Sequence, residues 1–589
     1  MSHLRRIPKE LVVQERCIYY AELESCPACS EPLQLSGHYD SRRVIQQLDR
    51  VIFVASRPKH CVDDQCSQHG HHWPSVRAQM VALPHSTYGL DVVAQAGWWH
   101  DRDHLNGDDI YRRLCPHIQI GRRTVDLLVH QYRLLLACAE SQQPERLVQA
   151  VMEHGGLILH LDGLEPEGAR EQLWIVRELF SERILIAGWL PRVNEPALTQ
   201  FLTPVRDYLA TQGWPVLATL SDKQGVLVNA LKHVWPGALQ HWCHSHYLRN
   251  AVDPLYDRDQ AFKTDLRRDV RRVIRRSMSE VAAQARSGAY APQMVTGLVL
   301  TEAPSAPNVP MSTKADTEAT VSALPDTPTA HPVIRGYAQV LQHTLARDGR
   351  APWFLAGLTL YADLQAIAES MARCLAKRPD PRLQLWHAAL AANLERHAPD
   401  SDTIRRGQTW VEAIRRVLDE IPLPTPDAPG PGGDAAARNL AFALGRIADE
   451  SVTDPWLIEF RQHLLALSER YWPGLFPCYD IVGLPRTNND LEGLYGQTKR
   501  NARRLSGLRQ VRQPLQRHGA WLVYRSQDES ATALHARLAQ VSAEAYQAER
   551  TRWLARQEQF RQRHRWRHQR ANVLSELEAA WGIAPPDSS

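Results

Sequence analysis

At 589 residues the chain is too long for a single hydrophobic core, and its length predicts roughly three to five domains. Its 44% hydrophobic and 23% charged residues are typical of a soluble globular protein, and no apolar stretch approaches the ~20 residues that a membrane-spanning helix needs. Ten cysteines are too sparse for a disulfide scaffold, and the charged segment 1–10 lacks the apolar region of a secretory signal, so we expect a cytoplasmic protein with no membrane partner.

The net charge of +4 is modest, but the basic residues are clustered. Several basic patches on one chain favour a polyanionic partner that contacts several domains. For any single patch, a solvated helix face is the alternative interpretation. Three stretches carry the clusters: Arg267, Arg268, Arg271, Arg272, Arg275 and Arg276; Lys499, Arg500, Arg503, Arg504 and Arg509; Arg561, Arg563, Arg565, Arg567 and Arg570.

Cysteine pairs mark the N-terminal region 1–78, whose sequence otherwise predicts irregular structure. Cys26 and Cys29 form a Cys-Pro-Ala-Cys pair, and Cys61 and Cys66 form a second pair about thirty residues on. Tetrahedral zinc takes four soft ligands, so we predict a structural Zn²⁺ here. Nearby histidines could replace one of the cysteines: His60, His69, His71 and His72.

Helical periodicity follows in the region 79–150. Asn106 is a suitable N-cap for a short helix, the segment CPHIQI predicts a turn, and a second amphipathic helix opens with Arg122, Arg123 and Thr124. This order predicts a helix-turn-helix DNA-binding domain whose second helix faces the major groove. An ordinary helical hairpin is the alternative.

The region 151–250 has the pattern of an α/β domain. Three apolar runs of strand length are followed by a helix, a fourth strand, a second helix and a short fifth strand: GLILHLDG, EQLWIVRELF, RILIAGWLP, NEPALTQFLTPVRDYLATQ, PVLATLSD, KQGVLVNALKHV and ALQHWC. Short turns predict an antiparallel meander for the first three strands, and helical connections predict parallel strands thereafter. This order is that of an α/β ribonuclease H-like core.

Beyond residue 250 the pattern is mostly helical. We predict a helical insertion domain over 251–480, with a flexible linker rich in Pro, Ala, Thr and Ser at 302–332 and a shorter break at 421–434. The last part of the core, over 481–530, contains a helix that begins near Glu492. A basic C-terminal region, 531–589, completes the chain, with one long helix from about 535 to 580.

Acidic residues end two of the predicted strands. Asp162 ends the first strand and Asp222 the fourth, and neighbouring strands bring the two carboxylates to one edge, where a divalent cation would offset their repulsion. Glu492 is the predicted third ligand, with Asp490 as a competitor. Three carboxylates suit two Mg²⁺ ions, or Mn²⁺, in phosphodiester cleavage. Basic residues on the same helix would hold the nucleic-acid backbone: Lys499, Arg500, Arg503 and Arg504.

Three blocks of sequence carry a family resemblance. The segment LDGLEPEGAREQLWIVREL is similar to a first-aspartate block, and LSDKQGVLVNALKHVWPGALQHWCHSHYLRN is similar to a second-aspartate block that ends in a Cys-x-x-His pair, Cys243 and His246. The segment RTNNDLEGLYGQTKRNARRLSG is similar to the block around a catalytic glutamate. In this order the blocks resemble DDE-type transposases of bacterial insertion sequences, of the mutator-like superfamily, over about 150–250 and 480–515.

The resemblance implies a function for the whole chain. Asp162, Asp222 and Glu492 would be the metal-binding triad of a transposase that binds the ends of its mobile element and catalyses strand cleavage and strand transfer into target DNA. The protein would be a homo-oligomer on double-stranded DNA in the nucleoid of a bacterial cytoplasm. Alternatives are a non-catalytic domesticated DNA-binding regulator, or a nuclease of the same fold without joining activity. For Cys243 and His246 we expect a structural or DNA-proximal role rather than zinc binding.

Overall fold

The computed structural model describes residues 11–142, 144–166, 171–286, 332–346 and 354–581. The predicted linker at 302–332 lies outside the described residues except for its last position. The chain divides into two compact units: unit 1 comprises 1–243, 423–430 and 474–589, and unit 2 comprises 244–422 and 431–473. None of the helices in the described ranges combines the length and apolarity needed to cross a membrane.

Unit 1 begins with six strands: β1 (Glu15–Tyr20), β2 (Gln34–Leu35), β3 (Ser41–Gln46), β4 (Val51–Arg57), β5 (Lys59–His60) and β6 (His72–Trp73). They form two three-stranded sheets, ordered β1-β4-β3 and β2-β5-β6. The prediction of irregular structure was therefore wrong for the described part of this region. β2, β5 and β6, of two residues each, are too short to give a hydrophobic pattern, whereas the six- and seven-residue strands β1, β3 and β4 were missed.

Five helices follow: α1 (Val76–Val81), α2 (Leu90–Asp101), α3 (Gly107–Leu114), α4 (Arg122–Gln142) and α5 (Glu145–His154). The predicted cap of α3 is confirmed, because the Asn106 side chain accepts from the backbone N–H groups of Asp108 and Asp109. The pair α3 and α4 has the predicted helix–turn–helix order, and its contact with DNA stays a prediction. The second half of α4 is buried in the core of unit 1.

The central sheet of unit 1 contains five strands and two connecting helices: β7 (Leu157–Leu164), β8 (Gln172–Glu178), β9 (Ile184–Leu190), α6 (Glu195–Thr211), β10 (Val216–Ser221), α7 (Gly225–Val234) and β11 (Leu239–Trp242). The strand order is β11-β10-β7-β8-β9. β7, β8 and β9 pair antiparallel, and β10 pairs parallel with both β7 and β11. Both predicted pairing directions are thereby confirmed, and the chain contains a mixed α/β domain.

Unit 2 is built from helices: α8 (His244–Arg286), α9 (Pro332–Ala346), α10 (Ala356–Lys377), α11 (Pro381–Glu420), α12 (Gly433–Asp449) and α13 (Pro455–Leu475), the last of which ends just inside unit 1. The buried Asp259 of α8 accepts from the N–H groups of Gly357 and Leu358, at 2.8 and 2.9 Å, and so satisfies the first turn of α10. The predicted break near 421–434 is confirmed as the non-helical segment between α11 and α12.

The C-terminal part of unit 1 adds five helices: α14 (Asn489–Ser506), α15 (Arg512–Leu522), α16 (Ala531–Leu538), α17 (Ala543–His568) and α18 (Arg570–Trp581). The prediction of one long helix from about 535 to 580 was wrong. Ser542 caps α17 through the N–H of Ala545, and Gln569 leaves the helical conformation between α17 and α18. Strong helix formers on both sides hide these two breaks in the sequence pattern.

The two faces of the central sheet pack against different helices. Leu157, Leu159 and Leu161 of β7 pack with residues of α6 and α7 in one core cluster. Leu164 of β7 and Ile175 of β8 belong to a second cluster that includes residues of α4, α14 and α15. Because side chains alternate along a strand, Asp162 lies on the face that α14 covers.

Candidate active site and metal centre

Four cysteines lie together in the N-terminal region. The ligand atoms of Cys26, Cys29, Cys61 and Cys66 all lie within 4.8 Å of one another. The Cys26–Cys66 and Cys29–Cys61 sulfur pairs are each 3.7 Å apart. A tetrahedron with Zn–S bonds of about 2.3 Å has sulfur–sulfur edges of about 3.8 Å. The cluster therefore fits a tetrahedral metal such as zinc.

Tight turns present these cysteines. Ser30, at φ 64°, donates its N–H to the carbonyl oxygen of Cys26 at 2.8 Å and closes the first turn. At the second pair, the N–H of Cys66 donates to the carbonyl oxygen of Asp63 at 3.1 Å, and the N–H of Gly70 donates to that of Cys61 at 2.9 Å. Burial disfavours the Cys26 thiolate, but hydrogen bonds from the N–H groups of Cys29 and Ala28 and from the Cys29 and Cys66 side chains together lower the Cys26 pKa to about 7.

The nearby histidines have other contacts. His69 Nδ1 lies 3.1 Å from the carbonyl oxygen of Asp63, and the rings of His60 and His72 stack at 5.2 Å. Among the residues that the structure describes, the clustered ligand set at this site consists of the four cysteines. No histidine is needed to complete the set.

Asp222 directly follows β10, as predicted, but Asp162 lies within β7, two residues before that strand ends at Leu164. Leu220 of β10 is paired with His160 of β7. Extending this register by two residues places Asp222, directly after β10, opposite Asp162. Neighbouring strands are about 4.8 Å apart, and residues in step point to the same face. Both aspartates are half-buried. The register thus places the first two predicted acids side by side at one edge of the sheet.

Tyr495 joins α14 to this edge. Its hydroxyl donates to the backbone carbonyl oxygen of Asp162 at 2.8 Å and lies 3.3 Å from that of Leu173. Burial, with the nearby charge of Asp162, raises the Tyr495 pKa well above its usual value, so the hydroxyl stays protonated as a donor. This tyrosine was not predicted as a site residue. Its spacing of three residues from Glu492, on the same helix face, is the signal that could have identified it.

Asn488 joins the start of α14 to two strands. Its side-chain amide donates to the carbonyl oxygen of Leu161, and its backbone N–H donates to the sulfur of Cys243, both at 3.3 Å. The N–H of Cys243 donates to Ser221 at 3.0 Å, directly before Asp222. Asn488 and Cys243 are fully buried. Cys243 therefore has the contacts of a structural residue, and His246 is half-buried near the start of α8.

Glu492 lies in the first turn of α14, as predicted, and its side chain is exposed. In the described part of the chain, the groups of three or more metal-ligating side chains whose ligand atoms all lie within 4.8 Å do not include Asp162, Asp222 and Glu492. Two metal ions about 4 Å apart, each about 2.1 Å from its ligands, allow ligand atoms up to about 8 Å apart. The absence of a tight three-residue cluster is therefore compatible with a two-metal site.

His160 is a buried residue beside Asp162 and Asp222, and it was not predicted as a site residue. It lies two residues before Asp162, is 1% exposed, and both ring nitrogens lack a hydrogen-bond partner among the described residues. Burial and the charge of Arg177 lower its pKa to about 4, against a smaller opposing effect of Asp490. His160 is therefore neutral at physiological pH.

The predicted DNA-binding residues differ in their exposure to solvent and in their contacts within the protein. Arg122 forms ion pairs with Asp108 and Asp126, the second at 2.8 Å, whereas Arg123 is exposed. On α14, Arg500 and the two arginines after it are exposed and Lys499 is half-buried. Thr124 is half-buried, and its N–H donates to Gly121 at 2.9 Å. Exposed arginines are side chains that commonly contact phosphate oxygens in protein–nucleic acid complexes.

No protein-family model matches the chain, and no curated protein matches it.

Proposed function

We propose that the protein is a DDE-type transposase with a ribonuclease H-like catalytic core. Asp162, Asp222 and Glu492 would form the metal-binding triad, and the cleavage and strand-transfer steps would both take place at this site. The observation that carries the proposal is the in-step placement of Asp162 and Asp222 on adjacent strands, with α14 hydrogen-bonded to the first of them.

The strand order supports the proposed fold. An antiparallel meander flanked on its first strand by two parallel strands matches the order predicted for a ribonuclease H-like core. Unit 2, which is helical, is inserted in the sequence between β11 and α14. This arrangement agrees with the proposed insertion between the last strand and the helix of the third acid.

The donor set fits magnesium or manganese. Carboxylate oxygens are hard ligands, and two of the three acids are in step at one sheet edge. Two such ions, when bound, would activate the attacking hydroxyl and stabilise the leaving oxygen. The protein's own residues position the carboxylates: Tyr495 and Asn488 hold α14 against β7, and the exposed arginines of α14 bind backbone phosphates.

The cysteine cluster would hold a structural zinc ion. The small sheet β2-β5-β6 around it has few buried apolar residues, chiefly Leu33 and the cysteines Cys26 and Cys61. So small a core needs a further constraint to be stable. We place this region and the helices α3 and α4 in recognition of the ends of the element.

The direct test is a strand-transfer assay with DNA that carries the inverted repeats flanking the gene. In Mg²⁺ the full chain should nick these ends and join them to a target plasmid. Asp162→Asn, Asp222→Asn and Glu492→Gln should each reduce both steps about a hundredfold or more, because each removes a ligand charge worth several kcal/mol. Glu165→Gln, at an exposed position just beyond β7, is the matched control.

Each alternative outcome has its own meaning. Cleavage without joining of a pre-cut end would identify a nuclease. Binding of the ends with neither step, at any divalent metal concentration, would identify a regulator and overturn the proposal. If the three variants were as active as the control, Asp162, Asp222 and Glu492 would not be the catalytic metal ligands.

A further inference from the structure

Unit 1 contains a cavity of about 420 Å³ that the proposed catalytic site does not use. Its wall is formed by α2 and the segment after it, α4, α14, and α15 and the segment after it, and it includes Trp98, Arg133, Asn501 and Arg525. The three proposed catalytic acids are not among the lining residues. The volume lies in the range of pockets that hold whole small-molecule ligands, roughly 300–1,000 Å³.

Two arginines on this wall have neutral partners. Arg133 donates to Nε2 of His100 at 3.3 Å, and Arg525 donates to the side-chain oxygen of Gln497 at 2.8 Å. A guanidinium has five N–H donors, so most donors of both residues stay available. Within the described part of the chain, neither guanidinium forms an ion pair with a carboxylate within 4.0 Å; Arg537, by contrast, is paired.

The carboxylate on the wall, that of Asp101, already accepts hydrogen bonds from other wall residues. Asp101 accepts from the His100 ring at 2.8 Å through one oxygen and from the Tyr132 hydroxyl at 2.9 Å through the other. Since His100 accepts from Arg133 through Nε2, its ring is in the neutral tautomer with the proton on Nδ1. His518, another wall residue, is also neutral, because burial lowers its pKa to about 2. Asp101 therefore balances one of the positive charges around the cavity, and an excess remains.

Further groups on the wall can contact a ligand. Nδ1 of His104 is buried without a hydrogen-bond partner in the described structure, and the half-buried Asn501 amide makes no hydrogen bond to described residues. Trp98, over whose ring the Arg102 guanidinium lies at 5.3 Å, and Tyr524 supply aromatic surface. A guanidinium can bind two phosphate oxygens by parallel N–H bonds, and aromatic side chains stack on bases.

We propose that this cavity binds one nucleotide unit, with its phosphate between Arg133 and Arg525 and its base against the aromatic wall. The proposal goes beyond the transposase function, because it needs none of the catalytic acids. The nucleotide unit can come from a free nucleotide or from an unpaired position of a DNA strand. The phosphate contacts are the same for both sources.

The test is isothermal titration calorimetry of the full chain with thymidine 5′-monophosphate, and with thymidine as the phosphate-free control. The nucleotide should bind at least about tenfold more tightly than thymidine, a difference of about 1.4 kcal/mol. Asn501→Asp places a negative charge beside the phosphate and should weaken binding about tenfold or more. Asn229→Asp, at an exposed position on α7, is the matched control and should bind normally.

Two further variants keep the outcomes distinguishable. Arg525→Gln should weaken nucleotide binding as Asn501→Asp does, whereas Asp162→Asn should leave it unchanged even if the proposed catalysis fails. Competition by a single-stranded oligonucleotide would assign the site to a DNA strand, and lack of competition would assign it to a free nucleotide. The proposal is overturned if the nucleotide gives no binding at millimolar concentration, or if folded Asn501→Asp binds it as tightly as the unchanged chain.

Discussion

The hydroxyl of Tyr495 donates a hydrogen bond to the backbone carbonyl oxygen of Asp162 at 2.8 Å. This contact joins residues more than three hundred positions apart in the chain, on α14 and β7. Glu492 lies one helical turn before Tyr495 on α14. The hydrogen bond from Tyr495 to Asp162 therefore also fixes the position from which the Glu492 side chain extends. The position of α14 on the sheet is therefore a property that mutation can test.

Removing the Tyr495 hydroxyl should loosen this contact. Tyr495→Phe keeps the ring but removes the hydrogen bonds that the hydroxyl donates to the carbonyl oxygens of Asp162 and Leu173, which should cost about 1–2 kcal/mol of unfolding free energy. Strand cleavage should fall as well, with a higher Mg²⁺ requirement. Urea unfolding and a metal titration of cleavage measure the two effects.

Tyr546→Phe is the control, since Tyr546 is buried and its hydroxyl makes no hydrogen bond to described residues. Equal effects of Tyr495→Phe and Tyr546→Phe would contradict the positioning role of Tyr495.

Asp490 and Glu492 compete for the role of third ligand, and their variants should separate them. Both are exposed and lie in the first turn of α14, but helical geometry turns them about 200° apart. We expect Glu492→Gln to abolish metal-dependent cleavage and Asp490→Asn to retain most of it. The comparison is made at saturating Mg²⁺ in the same assay. The opposite ranking would assign the third ligand to Asp490.

Loss of one cluster cysteine should remove the metal from the N-terminal region. Cys26→Ser should lower the zinc content from about one ion per chain to near zero, because structural zinc needs four ligands. Segment 11–75 should then become sensitive to protease, since metal binding and folding are coupled. Elemental analysis and limited proteolysis measure both effects. Cys115→Ser, at an exposed position outside the cluster, should change neither; unchanged zinc in Cys26→Ser would contradict the site.

Protonation of His160 should destabilise unit 1 as the pH falls. Its pKa is about 4 in the folded chain and about 6.5 when unfolded, so between these values the unfolded chain binds more protons. Stability is therefore full above about pH 7 and decreases towards pH 4, by about 2 kcal/mol between pH 8 and pH 5 for this group.

The variant His160→Leu isolates this effect from the other buried histidines. Its unfolding free energy, measured by urea titration at pH 8 and pH 5, should fall less than that of the unchanged chain. Arg177 and Asp490 are the charges that act on His160, and neither is altered in this comparison. The same pH slope in both proteins would show that His160 is not buried in its neutral form.

The central sheet could be predicted because its strands are long apolar runs with distinct connections. Asp162 and Asp222 could be placed side by side because a helical connection implies parallel strands, and neighbouring strands bring their ends to one edge. The cysteine cluster followed from ligand chemistry and spacing alone. In each case, short sequence patterns around each residue carry the information: apolar runs for the strands and paired cysteines for the metal site.

The missed features depend on contacts between distant segments. Nothing next to Tyr495 in the sequence indicates that its hydroxyl reaches Asp162, and the wall of the cavity combines Arg133 with Arg525 across almost four hundred residues. In the small N-terminal sheets, the two-residue strands β2, β5 and β6 are too short for a periodic signal, whereas β1, β3 and β4 are as long as strands of the central sheet and were missed all the same. The break at Ser542 was missed because its flanks favour helix.

In the proposed active site, Asp162, Asp222 and Glu492 bind divalent cations together. Localised cleavage of the protein by Fe²⁺ and peroxide tests it most directly, because hydroxyl radicals cut the backbone close to the bound iron. We predict cuts near all three acids in the same sample, suppressed by excess Mg²⁺ and lost from all three positions in Asp162→Asn. Cuts at one position alone, or a pattern that Asp162→Asn leaves unchanged, would contradict a shared metal site.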